Sequence, residues 1–163
     1  MTDVLSVADV GSKNLEALLA RYGLALVVQP LDESITGSYW GDPEAGVVGQ
    51  TVFVRADTPL HSFLHEACHV ICMDAERRCG LDRDAGGDDL EESAVCFLQV
   101  LLADAIDGAG RDRLMADMDA WGYSFRLGST RAWFEEDAED ARAFLLKHAL
   151  IDQAGEPTWR LRS

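Results

Sequence analysis

Between Leu60 and Met73 the chain reads LHSFLHEACHVICM and holds three of its four histidines. His65, Glu66 and His69 within it form the pattern H-E-x-x-H. On an α-helix, residues four apart lie about 40° apart around the axis, so the two imidazoles leave one face together and can grip one metal ion. Glu66, about 100° from His65, falls within reach of a water on that ion. The chemistry on offer is activation of water by a metal and a carboxylate base.

A catalytic zinc takes three protein ligands and keeps an open position for water, so the histidine pair needs a partner. Glu91, Glu92, His61 and the cysteines are the candidates. On a wheel of the segment Leu90 to Ala103, Glu91 shares its face with Ala94, Val95, Leu98 and Leu102, whereas Glu92 lies at the edge near Gln99. An inward carboxylate is costly to bury unless a cation meets it, which favours Glu91 over Glu92 as third ligand. Asp88 and Glu91 also have the three-residue spacing of a helix-capping pair, a purely structural use of the same residue. His61, one turn before His65, reads as an exposed residue near a helix start, with contact to the ligands or the substrate as its alternative. Tyr39, Tyr123 and His61 are available to stabilise a developing oxyanion, and Tyr39 with Trp40 equally suits a core-covering loop. Cys68 and Cys72 fall on the apolar stripe of Leu60, Leu64 and Ile71 and read as packing thiols.

These side chains need a scaffold. Leu15, Leu18, Leu19 and Tyr22 recur at helical spacing behind Ser12, and Gly23 stops the run. Leu24 to Val28 is a continuous apolar run that suits a strand buried on both faces. After a Gly- and Pro-bearing loop from Ser38 to Gly49, Gln50 to Arg55 reads as a strand whose exposed edge could pair with an extended peptide. Thr58 and Pro59 suit the cap and first residue of a helix running from about residue 59 to 78, ended by Arg77 and Arg78. A glycine-rich acidic loop, Leu81 to Asp89, precedes the nearly all-apolar helix Leu90 to Ala103, which must be central. Further helices are expected near Arg111 to Ala120 and from Thr130 to Leu150, the last with His148 in register, followed by a loosely ordered GEPTWRLRS tail.

The whole is one α+β domain, since 163 residues support one core and 48% hydrophobic with 26% charged residues is ordinary globular composition. With 14 Lys and Arg against 29 Asp and Glu, the formal charge of −15 argues against nucleic acid and favours a basic peptide or protein as partner. No leader-like start or membrane-length apolar window occurs, so the chain reads as cytoplasmic, with its four cysteines reduced.

His65-Glu-Ala-Cys-His69 followed by Glu91 resembles the gluzincin branch of zinc metallopeptidases in its small single-domain form. Glu91-Glu-Ser-Ala94-Val-Cys-Phe97 is similar to the E-x-x-A-x-x-F helix of the ImmA/IrrE-like peptidases. The resemblance covers roughly Gln50 to Leu102 and implies a zincin-like domain with zinc on His65, His69 and Glu91, and Glu66 as base in peptide hydrolysis. Where larger gluzincins carry an acidic residue four positions after the third ligand, this chain has Val95, so the histidines must be oriented from elsewhere. A second block, Val52-Phe53-Val54, H-E-x-x-H and Arg77-Arg78, is similar to the elongation factor P hydroxylase family, which implies iron and oxygen on the same ligands. Two histidines and a carboxylate suit Zn(II) and Fe(II) alike. A binding or regulatory domain with a structural metal is the third expectation.

Overall fold

The computed structural model describes residues 3–163. Among them, three strands and eight helices are arranged as an α+β fold around a shared hydrophobic core. The strands are β1 (Ala25–Gln29), β2 (Gly46–Val48) and β3 (Thr51–Arg55), in the order β1-β3-β2. β1 runs parallel to β3, from Ala25 opposite Thr51 to Gln29 opposite Arg55, and β2 runs antiparallel to β3. Val52 and Val54 turn into the core while Thr51, Phe53 and Arg55 are half-buried, the two-residue alternation of a strand with one covered face.

This order corrects two expectations. β3 is the central strand, so both its edges are already paired and a peptide cannot add to it. β1 is an edge strand, which leaves Val27 and Val28 40% and 44% exposed instead of buried on both faces.

The helix of the H-E-x-x-H motif, α3 (Leu60–Cys72), follows β3 after a short turn in which Thr58 Oγ1 accepts the Arg55 N–H. Thr58 is thereby used in the turn, and Pro59 takes the cap position. The helix does not continue to residue 78. It stops at extended Met73, and Asp74 starts a separate short helix, α4 (Ala75–Cys79), by accepting the Arg77 N–H at 2.9 Å. Arg78 then folds back, donating from Nε to Val70 O (2.8 Å) and from Nη2 to Met73 O (2.6 Å), and so satisfies carbonyls at the end of α3. The two arginines do serve a helix end, but from the next helix.

Packed across α3 lies α5 (Asp89–Ala103), buried without a break from Ala94 to Ala103 as its apolar sequence requires. Asp88 caps it, accepting the Glu91 N–H at 2.8 Å. Two short helices, α1 (Val7–Val10) and α2 (Ser12–Ala20), open the chain, and α6 (Arg111–Trp121) follows α5. The expected final helix divides into α7 (Thr130–Glu136) and α8 (Glu139–Lys147): Asp137 leaves the helical region and pairs with Arg126, and Glu139 and Asp140 supply the acidic first turn of a new helix. The tail is ordered, not loose. Trp159 packs on Tyr22 beneath the Arg21 guanidinium, and the Arg162 N–H donates to Ile71 O at the end of α3. Among the described residues, no helix is long and apolar enough to cross a membrane.

Candidate metal centre and cleft

Two helices present matching stripes. Ser62, His65, Glu66 and His69 stand at the i, i+3, i+4, i+7 positions of one face of α3, and Asp89, Glu92, Ser93 and Cys96 repeat that spacing on α5. Where the stripes meet, His65 Nε2 lies 2.8 Å from Glu92 Oε1, His69 Nε2 lies 3.1 Å from Glu92 Oε2, and the two Nε2 atoms are 3.2 Å apart. One ligand atom from each of the three residues falls within 4.8 Å of the others, a spacing that suits a single cation.

The third member is therefore Glu92, and this corrects the choice of Glu91. The wheel argument was right that an inward carboxylate needs a cation; here the cations are guanidinium groups. Glu91, 4% exposed, accepts both Arg77 Nη groups at 2.8 and 2.9 Å and Arg162 Nη1 at 3.2 Å, on the side of α5 away from the histidines. Its neighbour Gly87 lies so close that a Cβ there would strike the Glu91 carboxylate.

Gln99, two turns along α5 from Glu92, orients the first ligand. It is fully buried, and its amide Nε2 donates to His61 O (2.7 Å) and faces Tyr123 Oη (3.3 Å). The carbonyl acceptor at His61 fixes which end of the amide is which, so Gln99 Oε1 must accept from His65 Nδ1–H at 3.0 Å. With Nδ1 engaged by Gln99, Nε2 is the nitrogen turned toward Glu92 and His69, the one a metal would take in place of its proton. The orienting group sought at Val95 is thus an amide one turn later. His69 Nδ1 is buried and has no hydrogen-bond partner among the described residues.

The electrostatics follow from this packing. Burial pulls the His65 imidazole down, but hydrogen bonding with Cys96 and Glu92 outweighs it and holds the group well above 6.5. Burial pushes the Glu92 carboxyl up, and the His65 and His69 hydrogen bonds overcome that to leave it well below the usual carboxylate range. Glu66, 7% exposed, makes no hydrogen bond or ion pair among the described residues. Its carboxyl is raised by burial, with the two histidines opposing the shift.

A cleft of about 690 Å³ opens over these residues. Its floor is formed by His65, Glu66 and Glu92, and its walls by Cys96, Tyr123 and Phe125 with Trp121 and Trp40. Gly122 (φ 113°) ends α6 in the left-handed region, so that Tyr123 N–H bonds back to Met118 O and the ring turns toward the site. His61 is 1% exposed, contrary to the exposed reading. Its Nδ1 sits 3.2 Å from Tyr123 Oη, and burial depresses its pKa to about 4. Tyr39 does not line the cleft; it is 55% exposed and packs edge-on against Trp40. His148 ends α8 against Phe144, outside the cleft. Cys68, Cys72 and Cys96 are buried free thiols and Cys79 an exposed one.

No family model matches the chain, and neither a curated protein nor a solved structure is similar to it. What the site can do follows from its own atoms. Two imidazole nitrogens and a carboxylate, with a cleft beside them and an unpaired carboxylate next to them, are a donor set that could hold a divalent metal ion.

Proposed function

We propose that the protein is a zinc-dependent peptidase-like hydrolase. The observation that carries this reading is the convergence of His65, His69 and Glu92, with His65, Glu92 and Glu66 lining the floor of a cleft and His69 buried behind them. His65 and His69, through Nε2, and Glu92, through its carboxylate, would hold the ion. When bound, zinc supplies Lewis-acid polarisation of a carbonyl and acidification of water.

The remaining steps belong to the chain. Glu66, raised by burial, is suited to take the proton of the attacking water and to return it to the leaving amine. Gln99 keeps His65 in the tautomer that presents Nε2. Tyr123, on the cleft wall and in contact with His61 and Gln99, would donate its hydroxyl to the oxyanion.

Glu66→Gln is expected to retain the metal at wild-type stoichiometry and to lower peptide hydrolysis by at least about a hundredfold, the usual share of general-base catalysis. Hydrolysis of a quenched-fluorescent peptide library by both proteins measures this, and undiminished turnover in the variant would remove Glu66 from the mechanism. The same donor set with open positions also suits ferrous iron in a protein hydroxylase. Metal analysis of protein purified anaerobically separates the two: zinc at one equivalent supports the hydrolase, oxygen-sensitive iron the hydroxylase.

A further inference from the structure

Beside the metal ligands, the cleft carries carboxylates that no cation meets. Glu44 accepts the Trp121 indole N–H at 3.1 Å and makes no ion pair among the described residues. Asp89, one turn before Glu92, makes neither a hydrogen bond nor an ion pair among the described residues. Buried Glu66 opens on the same space without a partner. Among the described residues no Lys or Arg lines the cleft, so these carboxylates face its space without a cation from the chain itself.

A divalent ion would balance Glu92 and Glu66 and leave Glu44 and Asp89 uncompensated. Glu44 is half-buried and therefore costly to leave without a cation, while Asp89 lines the same cleft from an exposed position where a cation can reach it. The neighbouring walls are the indoles of Trp40, 72% exposed, and Trp121, 39% exposed. Ser62 Oγ accepts the Ala45 N–H at 2.9 Å, which fastens the Glu44 loop to α3, so this arrangement is fixed against the ligand-bearing helix. Flat aromatic faces beside free carboxylates complement a side chain with an apolar stem and a cationic head.

We infer that the cleft selects peptides bearing a lysine or arginine next to the scissile bond, with Glu44 and Asp89 receiving the head and Trp40 and Trp121 the stem. The catalytic consequence rests on the hydrolase reading; the binding does not. The test uses blocked pentapeptides of alanine with lysine, arginine, norleucine or glutamate at the centre, titrated into zinc-free and zinc-loaded protein and followed by tryptophan fluorescence and calorimetry. Lysine and arginine peptides are expected to bind about tenfold more tightly than norleucine, with the preference fading as salt rises. The Glu44→Gln/Asp89→Asn double variant is expected to lose that preference while keeping its fold and zinc stoichiometry. Equal binding of lysine and norleucine, no measurable binding of either cationic peptide, or a preference that survives the double variant overturns the inference. Turnover measured in parallel distinguishes the two claims: selective binding without cleavage sinks the hydrolase alone, and cleavage without charge selection sinks this inference alone.

Discussion

Gln99 is the residue that makes the histidine pair usable. Its amide is spanned between His61 O and His65 Nδ1, so replacing it with Leu leaves His65 free to adopt the other tautomer or rotate. Loss of such an orienting partner typically costs ten- to a hundredfold in metal affinity, and Gln99→Leu is expected to show about that loss in zinc competition against a chromophoric chelator. Unchanged affinity would reduce Gln99 to packing. His61 gives a second test. Its folded pKa of about 4 lies below the 6.5 of an unperturbed histidine, so the unfolded chain takes up the proton first. The stability it contributes is complete above 6.5 and is lost as pH falls through this window toward 4, by roughly 3 kcal/mol. Chelator-treated wild type should therefore lose more stability between pH 7 and pH 4.5 than His61→Gln in paired denaturant titrations; equal losses would refute the assignment. At this scale the motif was legible but its partner was not. Glu91 and Glu92 are adjacent, and a wheel ranks faces by apolarity, whereas α5 is buried nearly all round, so its most apolar face is not the one turned to the metal. The better signal was Gln99 itself, a polar residue in an apolar run, seven positions after Glu92 and hence on its face.

At the scale of elements, the candidate metal site depends on how α3 and α5 are clamped. The C-terminal end of α3 is held by Arg78 and by Arg162, which reaches Cys72 O and Glu91 together. Glu91 ties α4, α5 and the tail into one cluster through Arg77 and Arg162. Removing its charge leaves two guanidinium groups without their carboxylate, both partly open to water, which moderates the cost. Glu91→Gln is expected to lower unfolding free energy by roughly 2 kcal/mol with zinc affinity unchanged. A Glu91→Gln protein that loses zinc instead would return Glu91 to the ligand set. The long helices were legible because their periodicity is strong. Their breaks at Asp74 and Asp137 were not, since both depend on partners brought from elsewhere in the chain: a capping side chain with Arg78 folded behind it, and Arg126 across a loop.

For the molecule as a whole, length and the pattern of helices and strands foretold one α+β core, but not the sheet order, which is decided by which strands meet and not by any one strand's sequence. That order closes β3 and leaves β1 half-open, so the proposed substrate is assigned to the cleft beside α3 and α5 and not to the edge of the strand before the motif. Four carboxylates, Glu44, Glu66, Asp89 and Glu92, line the cleft. The most direct test of the account is the zinc stoichiometry and affinity of wild type, Glu92→Gln and Glu91→Gln, measured by calorimetry and chelator competition on metal-stripped protein. The expected result is one zinc per chain for wild type and Glu91→Gln, with affinity weakened at least about a hundredfold in Glu92→Gln. Failure of the wild type to bind zinc, or wild-type affinity in Glu92→Gln, would contradict it.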